Sequence, residues 1–179
     1  MLDIENCLLV VVDVQGKLAS LMYERDALLK NIQILIKSAK ILALPILWCQ
    51  QAPAAIGPTV PEIAELLTDI QPINKSSFSC CRDDKCISKL SSINRSQALL
   101  AGIEAHVCIY QTAIDLKEMG FDVNVIADAV SSRTLDNKQI ALSKMQTLGI
   151  NISSTEMAIF ELLKTADHPK FKQIAKLVK

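Results

Sequence analysis

The chain has 179 residues, half of them hydrophobic, with 21% charged and only five Gly and six Pro, which excludes a disordered or low-complexity chain. Lys plus Arg and Asp plus Glu number 19 each, so there is no excess of basic charge to attract a nucleic acid backbone. Apolar runs such as Cys7–Val12 and Ala43–Cys49 are strand-sized and too short to cross a bilayer.

The opening residues, MLDIEN, carry acids where a secretory leader carries bases, so a cytoplasmic location with reduced thiols is expected. One domain over residues 1–179 suits the length. Cys7-Leu-Leu-Val-Val-Val-Asp13 reads as a strand buried on both faces and ending in an acid. Apolar residues at helical spacing (Leu28, Leu29, Ile32, Leu35, Ile36, Ala39) predict a helix from about Leu18 to Leu42. Pro45–Cys49 is a second strand, Gln51–Thr59 a loop, and Pro61 opens a short helix, PEIAELL. Gln97–Gly102 is a third strand, followed by a helix from Ala105 to Met119 that Gly120 closes. Phe121–Ala127 is a strand, Asp136–Leu148 a helix ended by Gly149, and Ile150–Ser153 a last strand. Ser154 or Thr155 caps a helix over Glu156–Leu163. Strands alternating with helices imply βαβ units and a parallel sheet, whose ligands bind beyond the carboxyl ends of the strands.

Chemistry-bearing residues collect at those ends. Asp13 ends the first strand, where an acid can serve as a base or simply cap a loop. Cys108 lies at the start of the helix after the third strand, where the helix dipole and a nearby cation would lower its pKa. A helix-start cysteine is also a small apolar residue that packs well. Lys75, in INKSSFS, is placed in a loop between elements. Together the three supply a nucleophile, a proton acceptor and a cation. His106 is a rival base, but its two-residue offset from Cys108 turns it to another helix face. His168, in DHPKF, reads as a surface residue. Cys80, Cys81 and Cys86, in CCRDDKC, match no common zinc spacing and read as incidental loop thiols. No metal and no organic cofactor is expected, since neither GxGxxG nor GxxxxGK[ST] occurs.

The stretch AGIEAHVCIYQTAIDLKEMGFDVNVIADAVSSR (101–133) resembles the cysteine-bearing core of isochorismatase-like hydrolases, most closely the isochorismatase domain-containing group. LLVVVDVQ, IGPTVPEI, INKSSFS, SSTEMAIFELL and DHPKFKQI match further segments of that group in order along the chain. The resemblance implies a three-layer Rossmann-like α/β fold with a six-stranded parallel sheet in the order 3-2-1-4-5-6. It assigns Asp13 as proton acceptor, Cys108 as nucleophile and Lys75 as the adjacent cation. It further implies a cis peptide at Ile103–Glu104, an oxyanion hole from the amides of Glu104 and Cys108, and a pocket lined by Gln15, Gln50 and Ile103.

The implied activity is hydrolysis of a small amide or carbamoyl compound through an acyl-enzyme. Alternatives are hydrolysis of a non-amide such as isochorismate, or an interaction protein that keeps the fold with little turnover. CQQAPAAIG lacks the Asp and His with which nicotinamidases of the superfamily hold a metal, and Gln50 stands where the nearest group has Glu. The loop around Pro53–Pro61 differs from that of vinyl-ether-cleaving isochorismatases, so the resemblance does not imply that substrate. The high aliphatic content, a mean hydropathy of +0.29, and a helix face of Val107, Tyr110, Gln111 and Ile114 lead to an expected homo-oligomer, at least a dimer.

Overall fold

Strands β1 (Cys7–Val12), β2 (Ile46–Gln51), β3 (Ile73–Lys75), β4 (Gln97–Ile103), β5 (Asp122–Ser131) and β6 (Asn151–Ser153) form one sheet in the computed structural model, which describes residues 1–179. The order is β3-β2-β1-β4-β5-β6 and every neighbouring pair is parallel, as the resemblance implied. Central β1 is buried at all six positions. Its alternate residues feed two different cores. Cys7, Leu9 and Val11 enter one cluster, and Leu8, Val10 and Val12 enter the other. A parallel sheet covered on both faces requires this continuous apolar run.

The first cluster packs under α2 (Arg25–Ile41), α4 (Pro61–Ala64), α8 (Thr155–Leu163) and α9 (Phe171–Ala175). The second lies under α5 (Asp84–Ile93), α6 (Tyr110–Glu118) and α7 (Leu135–Thr147). Two more short helices, α1 (Gly16–Ser20) and α3 (Pro53–Ile56), sit in connections at the carboxyl edge of the sheet. No helix is long and apolar enough to cross a membrane.

Several boundaries depart from the sequence reading. The helix expected over Leu18–Leu42 is broken between α1 and α2, because tertiary bonds capture the chain there. The Tyr23 amide donates to Ser132 O (2.9 Å) and Ser131 Oγ donates to Tyr23 O (2.7 Å). The helix at Pro61 stops at Ala64, and the loop after β2 contains α3. That loop folds back: Gly16 N donates to Pro58 O (3.1 Å) and Val60 N to Val14 O (2.9 Å). Lys75 lies at the end of β3 and not in a loop; three residues are too short for any alternation to show.

Helix α5 was not anticipated, although Asp83 caps it by accepting from the amides of Lys85 (3.0 Å) and Cys86 (3.1 Å). The helix expected from Ala105 begins with one wide π-helical turn, Ala105–Ile109. β5 runs on to Ser131, past the predicted end at Ala127. Of the two caps considered for α8, Ser154 is the one used, its Oγ accepting from Met157 N (3.2 Å).

Candidate active site

Three chain segments meet at the carboxyl edge of the sheet. β1 ends at Val12, and Asp13 then adopts a left-handed conformation (φ 54°) with its amide donating to Cys49 O at 3.1 Å. β4 passes close by. A Cβ on Gly102 would lie 2.0 Å from Val12 O, and its φ of +125° is one that other residues rarely adopt. Only glycine allows β4 to run this close to the end of β1 and to present Cys108 in the turn that follows. β3 supplies Lys75, paired in register with Gln51 of β2.

Asp13, Lys75 and Cys108 are brought together. The Lys75 side chain is fully buried, and its Nζ donates to Asp13 Oδ2 at 2.6 Å. It also reaches Gln51 Oε1 (2.9 Å), Phe78 O (3.1 Å) and Ser77 O (3.2 Å). An ammonium has three protons, so these acceptors satisfy it without solvent. Asp13 Oδ1 is buried with no hydrogen-bond donor. Cys108, 7% exposed, sits close enough to this carboxyl group for each to influence the other's ionisation.

Burial raises Asp13 to about 6, against the opposing charge and hydrogen bond of Lys75. Burial works against the Lys75 ammonium, but Asp13 and the neighbouring thiols outweigh it and the pKa is raised. Cys108 departs from the sequence expectation. Burial first, and the Asp13 charge second, push its thiol up rather than down, and Lys75 offsets only part of this. A desolvated thiolate beside a carboxylate outweighs the pull of a helix start. The resting site is therefore a thiol, a carboxylate and an ammonium.

The Ile103–Glu104 peptide is cis. The Glu104 amide has no acceptor within the protein, and its carboxylate accepts from Arg133 Nε at 3.0 Å. Gln15 is fully buried, and both ends of its amide bind backbone: Oε1 accepts from Gln51 N (2.6 Å), and Nε2 donates to Gly57 O (2.7 Å) and Gln51 O (3.0 Å). Gln50 donates to Thr59 Oγ1 at 2.8 Å. Ile103 is buried in the first core cluster. His106 pairs with Ser132 Oγ (2.9 Å), and His168 Nδ1 accepts from Lys170 N (3.1 Å).

The cysteine cluster was misread. Cys80, Cys81 and Cys86 are buried on the 3₁₀ turn Cys80–Arg82 and on α5, where they pack in the second core; they are not loop thiols. Cys86 Sγ lies 3.5 Å from Cys49 Sγ. Hydrogen bonds from Cys49 and Cys80 draw the Cys86 thiol down against the opposing effect of burial. All six cysteines are free thiols. Sequence reasoning missed Gln51 and the Ser77 and Phe78 carbonyls as partners of Lys75. Gln51 left only a weak signal, standing just past the predicted strand Pro45–Cys49, and backbone carbonyls leave none.

A buried acid–lysine pair beside a cysteine, at the carboxyl edge of a parallel sheet with helices on both faces, defines an α/β protein with its candidate site beyond the strand ends. The Isochorismatase domain model matches residues 7–157, and the chain belongs to the isochorismatase family of hydrolases. It is 35% identical over 177 residues to isochorismatase domain-containing protein 2 of Danio rerio, covering 99% of this chain and 89% of that one. The solved structure of MAR1 ribonuclease from Caenorhabditis elegans superposes with a TM-score of 0.93 at 36% identity, covering 99% and 91% of the two chains. The Escherichia coli YcaC gene product, described as an octameric hydrolase of unknown specificity, gives a TM-score of 0.93 at 25% identity over 98% and 88%.

Proposed function

We propose that the protein is a cysteine-dependent hydrolase of small amide or carbamoyl compounds, acting through an acyl-enzyme. The observation that carries this reading is the fully buried Lys75–Asp13 pair set against Cys108, with Asp13 Oδ1 left without a donor. In the first step the Cys108 proton passes to Asp13 while sulfur bonds to the substrate carbonyl carbon and the carbonyl electrons move onto oxygen. The amides of Glu104 and Cys108 receive that oxyanion; the free Glu104 N–H supports its part. As the oxyanion collapses, the carbon–nitrogen bond breaks and the leaving nitrogen takes the proton from Asp13. Water then attacks the thioester, losing a proton to Asp13, which returns it to sulfur as the acid product departs.

Lys75 holds Asp13 ionised before the first transfer and compensates the anionic charge during it. The ribonuclease name borne by one relative would call for a cationic face for phosphates. The balanced charge of 19 bases against 19 acids favours a small neutral carbonyl substrate instead. No cofactor enters this chemistry, and the balanced thiol-rich chain suits a reducing cytoplasm. The test is mass spectrometry of the intact protein mixed with a panel of small amides. A substrate-derived adduct that is lost in Cys108→Ala, accompanied by released ammonia or amine, is the expected result. Turnover that survives in Cys108→Ala would remove the acyl-enzyme.

A further inference from the structure

We propose that Gln51 is a positioning residue of this site: it holds the Lys75 ammonium against Asp13 and so sets the pH at which Cys108 becomes reactive. The inference rests on the reading of Asp13, Lys75 and Cys108 given above. Gln51 is half-buried, and every polar group it owns is engaged. Its main chain is clamped by Gln15, which accepts from Gln51 N at 2.6 Å and donates to Gln51 O at 3.0 Å. Its side-chain Nε2 donates to Ser76 O at 2.7 Å. The amide therefore has a single available orientation, with Oε1 facing Lys75 Nζ at 2.9 Å. Gln15 in turn is tied to Gly57 O (2.7 Å), so the buried Gln15–Gln51 pair links the loop after β2 to the cation.

The choice of amide over acid matters. An ammonium on a flexible four-carbon stem needs more than one acceptor to stay in place. A neutral carbonyl oxygen supplies direction without competing charge. A carboxylate there would share the Lys75 charge with Asp13, place a second negative group near the thiol, and disfavour the thiolate.

The rate of Cys108 alkylation by iodoacetamide, followed on its own peptide by mass spectrometry across pH, reads this without a known substrate. Gln51→Glu keeps the shape and the acceptor, so it reports charge. Its alkylation midpoint is expected to move up by about one pH unit, with an unchanged melting temperature. Gln51→Leu removes the acceptor and is expected to lower the plateau rate about tenfold. A wild-type midpoint in folded Gln51→Glu would overturn the proposal, even if Gln51→Leu fails to fold. Asp13→Asn separates the two readings. If that variant keeps the wild-type profile, the assignment of Asp13 and Cys108 fails, whatever Gln51 does.

Discussion

Asp13 carries a charge that its surroundings both penalise and use. Burial lifts its pKa to about 6, and ionisation is needed before it can accept the Cys108 proton. Reactivity of Cys108 should therefore rise with pH through a midpoint near that value and be lost below it as Asp13 protonates. A profile of kcat/KM, or of alkylation rate, that stays flat between pH 5 and 8 would contradict a base with a pKa of about 6. Lys75 is the other half of the pair, and its value depends on both charges being present. Lys75→Met strands a buried carboxylate and should cost about 3–5 kcal/mol in urea unfolding. Adding Asp13→Asn removes the second charge and should recover a large part of that loss, since neighbouring residues do not contribute additively. A double variant no more stable than Lys75→Met alone would deny the pairing. Cys108 itself shows how local rules can mislead. A helix start and a cation favour a thiolate, but burial beside a carboxylate decides the resting state the other way.

Elements matter here chiefly through where they stop. β1 and β4 must end side by side for Asp13 and Cys108 to meet, and the closest approach is Gly102 against Val12. Gly102→Ala would force a methyl group to within 2.0 Å of the Val12 carbonyl oxygen. Backbone cannot yield as a side chain can, so a loss of about 3 kcal/mol or more is expected, with Cys108 displaced. Urea unfolding together with the alkylation rate of Cys108 checks both parts. Gly120→Ala is the comparison, because nothing lies within 4 Å of a Cβ there, leaving only its positive φ as a cost. Edge strand β3 shows the opposite economy. It is three residues long, yet it brings Lys75 to Gln51 and buries its charge. Helix α5 is the element whose start was most readable in retrospect, from Asp83 ahead of an amphipathic run.

At the scale of the whole molecule, assembly is the open consequence of the surface. The helix face of Val107, Tyr110 and Ile114 is half-buried and packs at the margin of the second core rather than standing free. Large apolar side chains are instead exposed at Leu21, Phe78, Leu135, Ile140 and Met157. Leu21, Phe78 and Leu135 lie in or beside segments that follow strand ends, on the same side as Asp13 and Cys108. Apolar side chains left exposed at that edge make a homo-oligomer the expected state. Light scattering should give at least twice the 19.6 kDa chain mass at micromolar concentration, and the monomer mass would refute the oligomer.

Much of this protein is legible without its structure. The unbroken apolar run of β1, the alternation of strand and helix, and the acid and the cysteine placed at strand ends follow from side-chain periodicity, a local property of the chain. Resemblance added the order of the sheet and the part proposed for Lys75. Local pattern could not show that a lysine in a polar segment ends a strand and is fully buried, or that Asp13 and Gln51, both distant in the chain, hold its ammonium. Nor could it show that three cysteines read as loop thiols pack in a core, or that Gln15 and Gln51 are locked to one another. These depend on contacts between residues far apart in the chain. Desolvation and charge proximity, which set the pKa of Asp13 and Cys108, are properties of the surrounding volume and exist only once the layers have closed over them.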